Sequence, residues 1–319
     1  MNAVTPWEPD APIALLRRRA ELLHRVRAFF LDRGLLEVET PYLSSAAATD
    51  PALESLRAAA PGGGAPVYLH TSPEFPMKRL LAAGSGPIWQ ICRVFRGGES
   101  GRLHNPEFSM LEWYRPDWDH HRLMAEVAEL LQVVVGAREV RIRSYAELFA
   151  PLDIDPHEAS SGRIAAAAAR RGVEAPPGLD RDGLLDLLLS HVLAPDLGRT
   201  GALDFVHGFP ASQASLARLE PGEPPIARRF ECFLEGMEVA NGYHELADAG
   251  EQRQRFEADL ALRRARGVPV VPVDERLLAA LAHGLPDCAG VAVGLDRLFM
   301  VALGATWLRQ VMAFSFARS

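Results

Sequence analysis

The sequence has little cysteine: Cys92, Cys232 and Cys288 are the three in 319 residues. They lie too far apart for a C-x-x-C metal or redox pair, and an odd number leaves no full disulfide set. Free buried thiols in a reducing compartment are therefore expected. Long apolar runs are also missing. The longest, 184–193, is broken by Asp186, Ser190 and His191 and falls short of the roughly 20 residues that cross a membrane. No apolar stretch follows Arg17-Arg18-Arg19, so neither a secretory leader nor a membrane partner is expected, and the cytoplasm is the expected location. Positive charge is in deficit, with 34 Lys and Arg against 41 Asp and Glu for a net charge of −7. That balance argues against sequence-blind nucleic-acid binding, which needs several phosphate-neutralising Lys or Arg, without excluding a local basic patch. There is no internal repeat, P-loop or nucleophile elbow. What is present is an ordinary folded composition, 48% hydrophobic and 24% charged, at a length that allows one large or two ordinary domains.

Periodicity supplies the elements. A helix is predicted over 12–33, with Pro12 in its first turn, an apolar stripe of Leu15, Leu22, Val26 and Phe29, and Gly34 as its stop. Extended pieces at 35–38 and 67–70 flank the Pro-Gly-Gly-Gly loop at 61–64. A helix over 74–83 precedes two strands, 88–96 and 107–114. Asp119 then caps a helix with Leu123, Val127, Leu130, Leu131 and Val134 on its core face. Residues 150–200, with alanines at 165–169 and a leucine-rich helix near 182–193, read as a helical insertion packed on the main body, whose sequence alone suggests no chemistry. Strands return at 203–209 and across 229–243, followed by helices over 251–266 and 274–283, a strand at 290–293 and a helix at 295–303. Several neighbouring strands look hairpin-connected. The expected class is α+β, one domain over 1–319 around an antiparallel sheet.

Three stretches could carry chemistry. In 93–115, period-two geometry puts Cys92, Val94 and Arg96 on one face of the first strand and Phe108, Met110, Glu112 and Tyr114 on one face of the second. The loop between them, with Arg102, His104 and Asn105, is too long for a tight hairpin. The alternative is a half-exposed hairpin with a few ion pairs. In 230–245, Glu231, Glu238 and Glu245 are spaced by seven, and a turn at Glu235-Gly236 would bring the first two together to hold one hard cation. A solvated acidic strand edge is the alternative there, and Asn241-Gly242 reads as a turn or bulge. In 290–304, a strand passes through Gly294 into a helix with Asp296 and Arg297 in its first turn, a place where backbone N–H groups and an arginine suit a phosphate. His120, His121 and His283 fall at helix ends and read as surface residues, while His70 and His207 lack metal-ligand spacing.

Together these stretches resemble the catalytic core of the class II lysyl-tRNA synthetases. RVFR…RLHNPEFSMLEWY resembles motif 2, GVAVGLDRLF motif 3, and FLDRGLLEVETPYLS, ending near Pro41, the dimer-forming motif 1. GMEVANGYHEL is similar to the lysine-type active-site strand. The match runs from about residue 12 to the C-terminus. Motif 1 begins so early that no N-terminal anticodon-binding domain is expected, since even a small domain needs about 50 residues. With TSPEFPMKRLLAAG, FPASQASLA and NGYHELADAGEQRQRFE, the chain is similar to the synthetase paralogues that ligate (R)-β-lysine to a lysine of elongation factor P.

That resemblance implies a homodimer using ATP and Mg2+, with elongation factor P as its protein partner and no stable tRNA or DNA binding. It implies that Arg96 binds the α-phosphate and the substrate carboxylate, Phe108 stacks on adenine, and Asn105 helps to hold the nucleotide. Arg297 would contact the γ-phosphate, with the backbones of Gly97, Gly98, Val239 and Gly294 beside ATP. Glu231 and Glu238 would hold magnesium. Ser72, Pro73 and Glu74 would line the amino-acid pocket, Tyr114 and Glu245 would grip the distal ammonium, and Asn241 would orient the carboxylate. Glu74 and Glu245 would be two separated anionic anchors for a dication.

Two departures stand out. Ala292 replaces a usual glycine, and its methyl fits a pocket reshaped for a β-amino acid. Gly97-Gly98 replaces the usual Asn-Glu after the motif 2 arginine, leaving Glu99 as the nearest carboxylate to take the place of the Glu. A lysyl-adenylate former that charges tRNA or another acceptor, and a catalytically silent synthetase-like binding protein, remain open at this level.

Overall fold

Helix α1 (Ile13–Leu31) starts after Pro12, whose ring presets the entry, and stops at Gly34, where φ is +69°. This computed structural model describes residues 7–60 and 62–319; Pro61 of the glycine-rich loop and residues 1–6 lie outside them. Short strands β1 (Leu36–Glu37), β2 (Leu43–Ser44), β3 (Arg57–Ala58) and β4 (Val67–Leu69) lead to α2 (Glu74–Ala82) and the long hairpin β5 (Ile88–Phe95) and β6 (Glu107–Pro116). Helix α3 (His120–Val135) is capped by Asp119, whose carboxylate accepts the Arg122 N–H at 2.8 Å.

The chain continues through β7 (Glu139–Ser144), α4 (Tyr145–Phe149), α5 (Ser161–Arg170), α6 (Arg181–Leu188), β8 (Ala202–Pro210) and β9 (Leu219–Glu220). It then runs through β10 (Ile226–Leu234), β11 (Met237–His244), α7 (Ala249–Ala265), α8 (Glu275–Gly284), β12 (Cys288–Gly294) and α9 (Leu295–Ala302). Strand β7 was not predicted. Its sequence EVRIRS alternates Val140 and Ile142 with arginines, but it is short and half charged, and at the sheet edge none of its residues is buried, so it gives no core-facing signal.

The main sheet runs β1-β5-β6-β12-β11-β10-β8-β7, with β9 added beside β10. It is antiparallel except at its two ends, where β1 joins β5 and β7 joins β8 in parallel. The fold is the expected α+β class. A small antiparallel sheet, β2-β4-β3, stands apart.

Alternation gives the sheet two distinct faces. Leu111 and Trp113, Val291 and Val293, Phe230 and Cys232, and Leu203 and Phe205 share one core with the buried stripes of α1, α3 and α9. Residues offset by one from these, such as Glu112, Tyr114, Ala292 and Glu231, face the opposite way into a cleft. The three cysteines are buried and free. No helix among the described residues is long and apolar enough to cross a membrane.

Residues 150–200 pack through α5 and α6 onto Val206, Phe209 and Phe233, on the main body, and they also wall the cleft with Asp182, Asp186 and Ser190. One expectation needs correction here. His120, read as a surface residue, is buried at 4% exposure under the face that α3 covers.

Candidate active site

The cleft encloses about 1210 Å³ over the exposed face of the central strands. Pairing of Cys92 with Met110 and Val94 with Phe108 sets the expected side chains of β5 and β6 on this one face. Strand β11 reaches it by an irregularity. The turn at Glu235 and Gly236, both at positive φ, pairs Leu234 with Met237 and Phe233 with Glu238. Val239 is then left without a partner, and pairing resumes with Cys232 opposite Ala240 and Glu231 opposite Asn241. One extra residue turns every later side chain over. Asn241, Tyr243 and Glu245 therefore face the cleft, and His244 faces α3.

The irregularity thus lies at Val239, two residues before the expected Asn241-Gly242. Gly242 sits inside the strand because a Cβ there would come within 2.4 Å of the Phe230 ring.

One end of the cleft is a buried acidic pocket. Ser72 Oγ and Tyr114 OH both donate to Glu112, each at 2.7 Å, and the Glu74 N–H donates to Ser72 Oγ at 3.0 Å. Pro73 precedes the helix whose first turn carries Glu74. One turn later, Lys78 lies with its Nζ 2.6 Å from Glu74 Oε1 and 2.6 Å from Glu245 Oε2. The two carboxylates are therefore not separated anchors. They share one internal ammonium, because Glu74 and Lys78 are four residues apart on α2 and Glu245 meets them from the end of β11.

Glu245 is 1% exposed, its Oε2 already engaged by Lys78 at 2.6 Å, while its Oε1 has no side-chain partner. That leaves one buried acceptor facing the pocket, suited to a further cation. Burial, then the repulsion of Glu74, pushes Glu112 up to about 8. Burial also pushes Glu245 up to about 7, against the pull of Lys78. Lys78 itself is held above the usual lysine range: burial opposes its charge, but Glu245 and Glu74 outweigh it. Gly290 makes the pocket possible, since a Cβ there would lie 2.3 Å from the Tyr114 ring and 2.6 Å from Glu245 Oε1. Ala292 stands between Asn241 and Glu112 across the strands, so its methyl lies at the pocket floor.

The other end is flanked by arginines. Arg96 leaves β5 with its guanidinium 5.2 Å from the Phe108 ring centroid and 3.7 Å from Glu99, and its Nε is buried without a partner. Arg297, in the first turn of α9, donates to Glu238 O at 2.9 Å and Leu103 O at 3.3 Å, and lies 2.7 Å from His104 Nε2. Asp296 turns away and pairs with Arg19 at 2.6 Å while accepting the Ser109 N–H at 2.7 Å. A Cβ on Gly294 would meet nothing within 4 Å, so the space beside that backbone is open.

Gly97 is packed differently, its N–H bonded to Glu54 O at 2.8 Å and the Glu54 side chain lying over it and toward Gly98. Asn105 lines the cleft, but its amide is engaged at both ends, donating to Glu107 O at 2.6 Å and accepting the Phe316 N–H at 3.0 Å. It holds the loop between β5 and β6 in place.

Between the two ends, Glu231 and Glu238 share the cleft face. Burial, then the repulsion of Glu238, pushes Glu231 up to about 8 despite Arg229, whose NH2 is 2.5 Å away. Arg229 also reaches Asn241 Oδ1 at 3.3 Å. Sequence reasoning missed Lys78, Arg229 and Gly290. Lys78 and Arg229 were legible only as generic charges, and Gly290 only as a strand residue.

The comparisons with known proteins agree with this architecture. The family model of the class II tRNA synthetases of the D, K and N type matches residues 10–318. Over the whole length of both chains, the sequence is 50% identical to the elongation factor P–(R)-β-lysine ligases of Edwardsiella ictaluri and Pectobacterium carotovorum, and 49% identical to that of Salmonella dublin. The acidic pocket, the arginine-flanked end and the sheet beneath them are those of a chain that belongs to the class II tRNA synthetase family.

Proposed function

We propose that this ATP-dependent ligase activates (R)-β-lysine as an aminoacyl-adenylate and transfers it to a lysine side chain of elongation factor P. The observation that carries this reading is the polarity of one continuous cleft. A buried acidic pocket, in which the one ammonium of Lys78 stands against the carboxylates of Glu74, Glu112 and Glu245, faces an end flanked by Arg96 and Arg297. A dicationic amino acid fits the first and a nucleoside triphosphate the second.

In the first step, a carboxylate oxygen of the amino acid attacks the α-phosphorus and the bond to pyrophosphate breaks. Arg96 holds the carboxylate and α-phosphate together, and Arg297 takes the γ-phosphate, so that charge moving toward pyrophosphate is met by fixed cations. Phe108 stacks on adenine, and the nucleotide passes along Gly97, Gly98, Asn105, Val239 and Gly294. Ser72, Pro73, Glu74, Tyr114 and Glu245 surround the two ammonium groups, and Asn241 orients the carboxylate.

The mutual repulsion of Glu231 and Glu238 fits a divalent cation between them. Magnesium bound there supplies positive charge for the triphosphate. In the second step, the acceptor amine attacks the activated carbonyl, loses a proton and releases AMP.

The chain acts in the cytoplasm as a homodimer. Leu31, Leu36, Tyr42 and Leu43, in and beside α1, β1 and β2, leave apolar side chains exposed in the segment that resembles the dimer-forming motif.

ATP–pyrophosphate exchange tests activation directly, run separately with (R)-β-lysine and α-lysine. Exchange driven by (R)-β-lysine, followed by a one-residue mass increase on elongation factor P, is the expected result. A clear preference for α-lysine would move the acceptor toward tRNA, and no exchange with either would end the ligase reading.

A further inference from the structure

Three histidines meet on the face of the sheet opposite the cleft. His120 and His121 open α3, and His207 lies on β8 in the alternation that places Leu203 and Phe205 toward α3. One nitrogen from each ring lies within 4.8 Å of the other two, and among the described residues this is the one such group of three or more. The rings of His120 and His121 are 4.1 Å apart at their centroids, and those of His121 and His207 are 5.3 Å apart. His120 is 4% exposed, and its Nδ1 has no hydrogen-bond partner. A buried ring nitrogen left this way calls for a partner that the protein itself does not provide.

His244 closes the cluster from β11, its ring centroid 6.3 Å from that of His120. Both of its nitrogens are already used, Nε2 lying 2.8 Å from Asp287 Oδ1 and Nδ1 3.4 Å from Arg228. It is a wall of the cluster and not a ligand.

We propose that His120, His121 and His207 form a binding site for a late divalent transition metal, zinc above all, with a fourth position open to water. Three imidazoles and no carboxylate suit zinc, nickel or copper and not the oxygen-seeking magnesium of the cleft. Zn–N bonds of about 2.0–2.1 Å in a tetrahedral arrangement bring the nitrogens to roughly 3.3 Å from one another. His121 is exposed and His207 half-buried, so both have rotamers with which to close around the fixed His120. A bound ion ties the first turn of α3 to β8 on the side away from the chemistry, which makes it a structural clamp.

The test uses the full chain, stripped with a chelator and free of nucleotide, titrated with Co2+ and then Zn2+. One equivalent of Co2+ should give the visible bands of a low-coordinate nitrogen site, and Zn2+ should bleach them and raise the melting temperature. The His121→Ala/His207→Ala double variant should fold as wild type, judged by its metal-free melting temperature and circular dichroism. It should bind Zn2+ about 100-fold more weakly. The His120→Asn variant should lose Zn2+ affinity in the same way; if it fails to fold, the double variant alone decides the matter. Equal Zn2+ affinity in wild type and double variant would overturn the proposal, as would failure of the wild type to bind Co2+ or Zn2+.

Discussion

The two ends of the cleft are built on different principles. At the amino-acid end, Lys78, Glu245 and Glu112 are at most 2% exposed, and their polar atoms are largely committed to one another. At the nucleotide end, Arg96 and Arg297 are part-exposed and lean on loop carbonyls, a histidine and an aromatic ring. Charges in a dry pocket act strongly and discriminate by position, which suits a small dication that must be told from its isomers. A triphosphate carries its charge over a longer distance, and part-exposed cations at the ends of a strand and a helix, with long side chains, can follow it as that charge moves. The acidic end should therefore govern affinity and choice of amino acid, and the basic end the rate of activation.

The largest effect expected from breaking this contrast is at the basic end. Arg297→Ala, which removes a cation assigned to the triphosphate alone, should lower kcat for ATP–pyrophosphate exchange by about 10²–10³ while leaving the KM for the amino acid nearly unchanged. A matching rise in amino-acid KM would remove the division of labour. Next comes Glu245→Gln, which leaves Lys78 with one carboxylate and should raise the amino-acid KM by about 10² with a smaller change in kcat; steady-state exchange kinetics separate the two.

A smaller effect concerns pH. Glu112 and Glu245 ionise near 8 and 7 in the folded chain, against about 4.3 when unfolded. Between those values the native state holds more protons than the unfolded one, so stability without substrate falls as pH rises through that window. The melting temperature should therefore drop from about pH 5 to 8. The dicationic substrate prefers both carboxylates ionised, so its KM should fall about tenfold from about pH 6 to 8. Glu112→Gln should flatten both profiles. The smallest effect is at Ala292→Gly, which removes one methyl between Asn241 and Glu112. It should shift the (R)-β-lysine to α-lysine ratio of kcat/KM by up to about tenfold toward α-lysine.

Much of the cleft was legible residue by residue. Period two alone placed Phe108, Met110, Glu112 and Tyr114 together, and the spacing of Glu231 and Glu238 about a two-residue turn placed those carboxylates on one face. Asn241 and Glu245 were harder. Without the unpaired Val239, Gly242 and His244 would have faced the cleft in their stead, and nothing in the local sequence marks that residue. Lys78 was invisible as a site residue because its partner Glu245 is distant in sequence. The histidine cluster was misread for the same reason: His207 joins His120 and His121 only across the sheet. Strand β7 escaped because it is short and half charged, and its alternating Val140 and Ile142 stay exposed at the sheet edge instead of joining a core.

What the sequence determined by itself was the inventory and the local geometry: helices from their apolar stripes and caps, strands from alternation, and the motifs that mark a synthetase core. These are properties of neighbouring residues, and backbone periodicity transmits them without help. What only the tertiary structure decided was which charges meet. Lys78 neutralises two carboxylates from different elements, Asp186 of the helical segment reaches the cleft wall, and one unpaired residue in β11 sends Glu245 to the substrate side and His244 to the histidines. Such partners are set by strand register and by the distance between packed elements, and charge interactions across those distances take their strength from burial, which only the folded chain creates.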